Sequence, residues 1–372
     1  MTQPKTKHPG PEVLRPPAEE LYAEELQALA RADQKQPKPP GWKLSPRAVR
    51  SFLCGCDNPP ISRKFYGDDV LVERAVIGLA GNRGLLLVGE PGTAKTMLSE
   101  LLTSAISATS TNTIQGTAGT TEDQIKYSWN YALLLAEGPT PRALVPAPLY
   151  VGMQQGLLVR FEEITRCPPE VQDALVSVLS DKVLVIPELA DPDRVLLARP
   201  GFNVVATANT RDRGVHEMSS ALKRRFNFET VQPIQDLGQE VELVARECER
   251  QLALSCVGLA VERPVIELLV TAFQDMRRGV SAEGFQVERP ASVMSTAEAV
   301  SVAVSAALDA YYYGDRRLTP EFVARHLAGA VLKDQPEDRA KLRHYFDVVV
   351  AQRSKKKGGP WSELHRARKW VT

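Results

Sequence analysis

No apolar run in these 372 residues approaches the roughly 18–20 needed to span a bilayer, so no transmembrane helix is expected. The start, Met1-Thr2-Gln3-Pro4-Lys5, carries charge without an apolar stretch, which argues against a secretory leader. Cysteine is sparse: Cys54, Cys56, Cys167, Cys248 and Cys256 are odd in number and mostly scattered. Nothing near the Cys54-Gly55-Cys56 pair completes a four-ligand zinc site. The thiols therefore read as reduced and mostly core, and the compartment expected is the cytoplasm. A net charge of +1 gives no strong field toward nucleic acid or membrane. There is no internal repeat. What remains, 43% hydrophobic and 24% charged residues, is the composition of a soluble globular protein long enough for two or three domains.

The stretch that is present and specific is Gly89-Glu90-Pro91-Gly92-Thr93-Ala94-Lys95-Thr96. It follows the apolar run from Leu85 to Val88 and opens onto a helical pattern from Met97 to Ile106, the strand–loop–helix setting of a phosphate-binding loop. Gly89 and Gly92 stand three apart, so the spacing is G-x-x-G-x-x-K-T rather than G-x-x-x-x-G-K-T. Glycines let the backbone wrap around phosphates, and the loop amides with the helix start hold the anion. Lys95 would reach the β- and γ-phosphates and Thr96 would offer its hydroxyl to magnesium. The phosphate-binding set is thus Gly89 through Thr96, with Met97 at the helix start.

Before the loop, Pro17 to Ala32 is helical, 33–41 is a Pro-rich linker, and Ser45-Pro46 and Asp68 or Asp69 start two further helices. After it, strands are expected at Thr109 to Ile114, Gly156 to Ile164, Val183 to Leu189 and Phe202 to Ala206. Thr121 to Glu137 reads as an aromatic helix and the proline-punctuated Gly138 to Pro148 as loop. Strands alternating with helices argue a parallel sheet covered on both faces, an α/β fold of the P-loop kind. From Gly238 onward only helical patterns remain, which makes a second, all-helical domain. The expected division is 1–44 N-terminal helix and linker, 45–235 α/β, 236–353 helical lid, and 354–372 a basic flexible tail.

Glu162-Glu163 closes a buried-type strand, and acids at a strand's carboxyl end lie beside the ligand crevice of an open α/β sheet. One can hold magnesium through water and the other can activate the attacking water. Asn209, ending a later strand, can position that water or sense the γ-phosphate. Lys223-Arg224-Arg225-Phe226 lies past the last expected strand, where an arginine can reach a neighbouring subunit's γ-phosphate. The tail carries Arg353, Lys355, Lys356, Lys357, Arg366, Arg368 and Lys369 with Trp361 and Trp370 interleaved. A flexible or docking tail is favoured there over a nucleic-acid contact.

These residues resemble the AAA+ ATPases, and more narrowly the MoxR/dynein-related group with an insert in helix 2, over roughly residues 61–332. The resemblance rests on GEPGTAKT (Gly89–Thr96), FEEITRCPPEVQDALVSVLSDK (Phe161–Lys182), ATANT (Ala206–Thr210), SSALKRRF (Ser219–Phe226) and RPASVMSTAEA (Arg289–Ala299). It implies ATP and magnesium as ligands, Lys95 and Thr96 as Walker A, and Glu162-Glu163 as Walker B. In that scheme Glu162 faces the metal and Glu163 is the base. It further implies Asn209 as sensor 1, Arg225 as arginine finger, Arg289 as sensor 2, and 117–153 as the pore-facing insert. A ring, usually a hexamer, is implied, beside a protein partner that often carries a von Willebrand A domain. Nucleic acid is not expected as a partner.

Two features depart from the pattern. Walker B usually ends Asp-Glu, and here it ends Glu162-Glu163. Arg289 precedes Pro290 at a helix boundary, and Arg224, Arg211 and Arg213 are rivals for intersubunit contacts. The function expected is an ATP hydrolase that remodels a protein partner. The alternatives are a nucleic-acid-stimulated motor, a nucleotide-gated scaffold with little turnover, and a metal-chelatase motor.

Overall fold

A computed structural model describes residues 13–209, 216–333, 335 and 337–371. The chain divides into two compact units, one carrying Pro16–Glu90 and Ala94–Gln232 and the other built on Pro233–Thr372.

Among its described residues the first unit holds nine strands: β1 (Gly84–Gly89), β2 (Thr113–Gln115), β3 (Tyr127–Trp129), β4 (Leu144–Pro146), β5 (Leu158–Glu162), β6 (Val183–Val185), β7 (Val195–Leu197), β8 (Asn203–Asn209) and β9 (Phe226–Thr230). Five of them make one parallel sheet in the order β2-β5-β8-β1-β9. In β1, Leu85 and Leu87 join one core with Leu98 and Leu102 of the helix Lys95–Ser107, while Leu86 joins the opposite core with Val159, Phe161 and Val204. Side chains alternate faces along a strand, so a run of leucines is what a sheet covered on both sides requires. The same alternation puts Leu158, Arg160 and Glu162 on the P-loop-helix side of β5.

The expected helix starts hold. Ser45 caps Pro46–Cys54 by accepting from the Ala48 N–H at 3.3 Å, and Asp68 caps Asp69–Ala80 through the Val70 N–H at 2.9 Å. The N-terminal segment is helical at Ala18–Leu21 and Ala23–Ala32, and Ala18, Leu29, Trp42 and Leu44 are buried in the P-loop-helix core. Lys64 pairs with Glu25, and Asp33 accepts the Ser45 N–H at 2.7 Å, so this segment is part of the α/β unit.

Three expectations for the first unit need correction. The aromatic helix over Thr121 to Glu137 is instead a short helix (Glu122–Ile125), β3, and a second helix (Tyr131–Glu137). The following loop contains β4, antiparallel to β3, with Tyr127 opposite Pro146 and Trp129 opposite Leu144. Lys223-Arg224-Arg225 does not lie past the last strand, since β9 begins at Phe226 and forms the sheet edge beside β1.

The second unit packs helices Leu237–Leu254, Arg263–Arg278, Thr296–Tyr312, Pro320–Val331 and Glu337–Tyr345 around one apolar core. The residues expected to form a flexible tail are helical at Ala351–Lys357 and Gly359–Arg366, with Trp361, Leu364, Ala367 and Val371 inside that core. Arg353, 2% exposed, explains how a basic segment can be buried. Its guanidinium donates to Asp275 at 2.6 Å and to Glu283 at 2.6 and 3.0 Å, and lies 4.6 Å from the Trp361 ring. Two carboxylates and an aromatic face replace its hydration. No helix among the described residues is long and apolar enough to cross a membrane.

Candidate functional site

The site is built where β1, β5 and β8 end together. Gly89 at the end of β1 is in register with Asn209 at the end of β8, and β5 lies on the far side of β8. The chain leaves β1 through a loop in which Gly92 (φ 76°) and Ala94 (φ 65°) both take left-handed backbone. Such turns aim successive N–H groups into one concavity, a geometry that accepts anions. Lys95 opens the helix and is 5% exposed, with its ammonium donating to the Gly89 carbonyl at 3.1 Å and the Glu90 carbonyl at 2.7 Å.

Glu162 is 3% exposed and saturated with donors. Its Oε2 accepts from Thr96 Oγ1 at 3.0 Å and Thr207 Oγ1 at 2.7 Å. Its Oε1 accepts from Ser99 Oγ and from Arg160 Nε at 3.2 Å and Nη2 at 3.0 Å. Thr96, Ser99, Thr207 and Arg160 thus come from three elements, the P-loop helix, β8 and β5, and meet at one carboxylate. Because the Thr96 hydroxyl donates to Glu162, its oxygen lone pairs stay free for a cation.

Glu163 is the one residue of the pair that leaves the sheet. It adopts left-handed backbone (φ 56°, ψ 43°), which swings its side chain out of the strand's alternation toward β8. The Glu163 N–H donates to Thr207 Oγ1 at 3.0 Å, which fixes the turn. Asn209 Nδ2 then donates to both carboxylate oxygens, at 2.8 and 2.9 Å. Gly116 makes room for this. A Cβ built there would lie 2.4 Å from the Glu163 carbonyl oxygen and 2.9 Å from that of Glu162. The carboxylate keeps 23% exposure, enough to meet a water.

Of the sequence-derived residues, the structure therefore gathers Gly89, Glu90, Lys95, Thr96, Glu162, Glu163 and Asn209 at one end of the sheet. Pro91, Gly92, Thr93 and Ala94 complete the loop, and Met97 follows Thr96 in the first helical turn. Arg225 is apart from them, at the start of β9, with its guanidinium donating to Ser180 Oγ and the Ala221 carbonyl at 2.8 Å each. Arg224 beside it is exposed. Arg289 belongs to the second unit and donates to the Arg278 carbonyl at 2.6 Å. Arg211 and Arg213 lie outside the described residues. Sequence reasoning missed Arg160, Ser99 and Thr207. Thr207 stands two residues before Asn209 on β8 and Arg160 two before Glu162 on β5, so strand alternation around the acids was the signal that could have found them.

The insert carries a second apolar feature. Trp129 packs with Tyr127, Leu144, Ile186 and Leu189, whereas Tyr131 and Leu135 on the next helix are 73% and 89% exposed. Burial and the neighbouring Glu188 push the Tyr127 phenol up to about 12.

Residues 84–226 match the family described as an AAA domain of the dynein-related subfamily, and residues 238–372 match the YehL-like AAA+ ATPase C-terminal domain. The uncharacterized protein YehL of Escherichia coli (strain K12) is 52% identical over 354 residues, covering 95% of this chain and 96% of that protein. An uncharacterized protein of Staphylococcus aureus (strain USA300) is 29% identical over 147 residues, 39% of this chain and 54% of its own length. Among solved structures, NtrX from Brucella abortus is similar at a TM-score of 0.48 and 11% identity, covering 82% of this chain and 69% of that one.

Proposed function

The chain belongs to the YehL-like family of AAA+ ATPases, and from that premise we propose that it binds ATP with magnesium and hydrolyses the β–γ phosphoanhydride bond. The observation that carries the reading is the Glu163–Asn209 pair, turned out of the sheet beside the P-loop. A carboxylate held by an amide at both oxygens is oriented as a base, and its partial exposure admits the water it must deprotonate. The loop amides and Lys95 fit the phosphates. The Thr96 hydroxyl backed by a single carboxylate, Glu162, suits magnesium, which takes most of its remaining ligands from substrate phosphates and water. When bound, the ion neutralises charge on the phosphate oxygens.

In the proposed reaction the Glu163 carboxylate takes a proton from water as the water oxygen bonds to the γ-phosphorus. The bond from that phosphorus to the bridging oxygen breaks, and ADP leaves with the electron pair. Asn209 holds the base throughout. In a ring, a hexamer in the reading we favour, Arg225 reaches the next copy's γ-phosphate. The rival is Arg224, since Arg225 is engaged within its own chain while Arg224 is exposed. We extend the reading to remodelling of a protein partner, as in MoxR-type proteins, with a von Willebrand A domain protein as a candidate. The exposed Tyr131 and Leu135 of the insert support a protein contact, and Trp129, packed inward, does not. Sensor 2 is assigned to Arg289 on the family resemblance.

The test is steady-state ATP hydrolysis across protein concentration for wild type, Lys95→Ala, Arg225→Ala and Arg224→Ala. Specific activity that rises with concentration and is lost in Lys95→Ala and one arginine variant supports a shared site and names the finger. Activity independent of concentration and of both arginines overturns the ring. No hydrolysis by the wild type with ATP still bound favours the scaffold alternative.

A further inference from the structure

The buried cation beside Glu162 is unexplained by the proposed chemistry. Arg160 sits on β5 two residues before Glu162 and is 8% exposed. An arginine in the centre of a parallel sheet is costly unless fully paired. Here its donors reach Glu162 twice, Ser99 Oγ at 3.2 Å, the Ser110 carbonyl at 2.9 Å and, more weakly, the Thr96 carbonyl at 3.4 Å. The guanidinium therefore ties together the two groups assigned to the metal, the Glu162 carboxylate and the turn that carries Thr96.

We propose that Arg160 is a positioning residue for the metal side of the site, holding the Glu162 carboxylate back against the first turn of the P-loop helix and offsetting its charge. The inference rests on the ATPase reading and deepens it. A glutamate extends one methylene further than the aspartate usual at this position. Left alone, its carboxylate would push toward the bound cation and ligate it directly. With Oε1 taken by Arg160 and Ser99, and Oε2 by Thr96 and Thr207, the carboxylate's roughly four lone-pair sites are occupied. The carboxylate then acts on the cation through the Thr96 hydroxyl. The adjacent positive charge also weakens its grip on a divalent ion, which favours exchange of metal and product.

The experiment is magnesium titration of fluorescent-ADP binding, read alongside kcat, for wild type, Arg160→Met and Arg160→Lys. In Arg160→Met the magnesium half-saturation point is expected to fall about tenfold, because the opposing charge is gone. The kcat is expected to fall as well, because the carboxylate is misplaced. Arg160→Lys keeps the charge and loses the fork, so its half-saturation should stay within about twofold of wild type while kcat falls. A purely structural role would lower thermal stability without tightening magnesium. Unchanged or weakened magnesium dependence in a folded Arg160→Met protein overturns the proposal.

Should Arg160→Met not fold, a cycle of Arg160→Lys against Glu162→Asp decides. Coupling of about fivefold or more in kcat supports a shared role, and additive effects overturn it. A wild type that binds no nucleotide would sink the ATPase reading and this inference with it. Nucleotide binding with indifferent Arg160 variants sinks the inference alone.

Discussion

Replacing Glu163 by glycine and, separately, by alanine isolates the backbone of the turn on which the proposed base is mounted. Both variants lose the same carboxylate and the same two Asn209 hydrogen bonds, so those losses cancel in the comparison. What differs is the left-handed conformation at φ 56°, ψ 43°. It costs a residue with a Cβ roughly 1–2 kcal/mol and glycine nothing. Glycine gives back roughly 0.4–1 kcal/mol through the greater freedom of its unfolded chain. Glu163→Gly is therefore expected to be more stable than Glu163→Ala by about 0.8 kcal/mol, the difference between the middle values of those two effects. In an ordinary helix or strand position the order is reversed, with alanine ahead by roughly 0.5–1 kcal/mol. Urea unfolding followed by far-ultraviolet circular dichroism measures the difference, and both variants should be inactive in ATP hydrolysis. A Glu163→Ala protein as stable as Glu163→Gly, or more so, would refute the claim that strain at this turn serves to aim the carboxylate.

Trp361→Ala should destabilise the helical unit by roughly 3–5 kcal/mol, the usual cost of emptying a large core site. It should also open Lys355, Lys356 and Lys357 to trypsin, and a loss under about 1 kcal/mol would mean the C-terminal helices are not docked. Arg353 holds the Glu283 carboxyl down at about 2, below its ordinary 4.5. A depressed acid stabilises the fold above its ordinary value and loses that contribution as pH falls toward its folded value. Asp275, raised by burial in the same network, works in the opposite sense. Glu283→Gln should therefore flatten the acid side of the stability profile between 4.5 and about 2, and profiles parallel to wild type would contradict the pairing. Gly116→Ala should cost roughly 1–3 kcal/mol and slow hydrolysis, because its Cβ meets the Glu163 carbonyl oxygen at 2.4 Å. A Gly116→Ala protein of wild-type stability and rate would show that the approach of β2 to the turn is not needed.

Much of the site was legible in the sequence because its parts are local. The run Leu85–Val88, the glycine loop and the helix after it are contiguous, Glu162 and Asn209 each end an apolar strand, and Glu163 follows Glu162 directly. The parallel α/β sheet and the helical second unit followed from the same periodicities. Features resting on partners far along the chain were not legible. Strand β9 alternates Phe226 and Phe228 with Asn227 and Glu229, an edge pattern easily passed over beside the apolar inner strands. The C-terminal segment reads as a solvated basic tail until Asp275 and Glu283 are seen to meet Arg353. Arg160 reads as an interruption in an apolar run, because its acceptors Ser110 and Thr96 lie 50 and 64 residues away.

The central claim, that Glu163 is the base of an ATP-hydrolysing site, is tested most directly by one paired measurement. ATP binding and steady-state turnover are measured under saturating magnesium for wild type and Glu163→Gln. The amide keeps the size of the side chain but cannot accept the proton. The wild type is expected to turn over ATP, and the variant to bind ATP unimpaired with a rate lower by about a hundredfold or more. A Glu163→Gln protein that turns over ATP within about threefold of wild type would contradict it, since removing a general base costs far more than that.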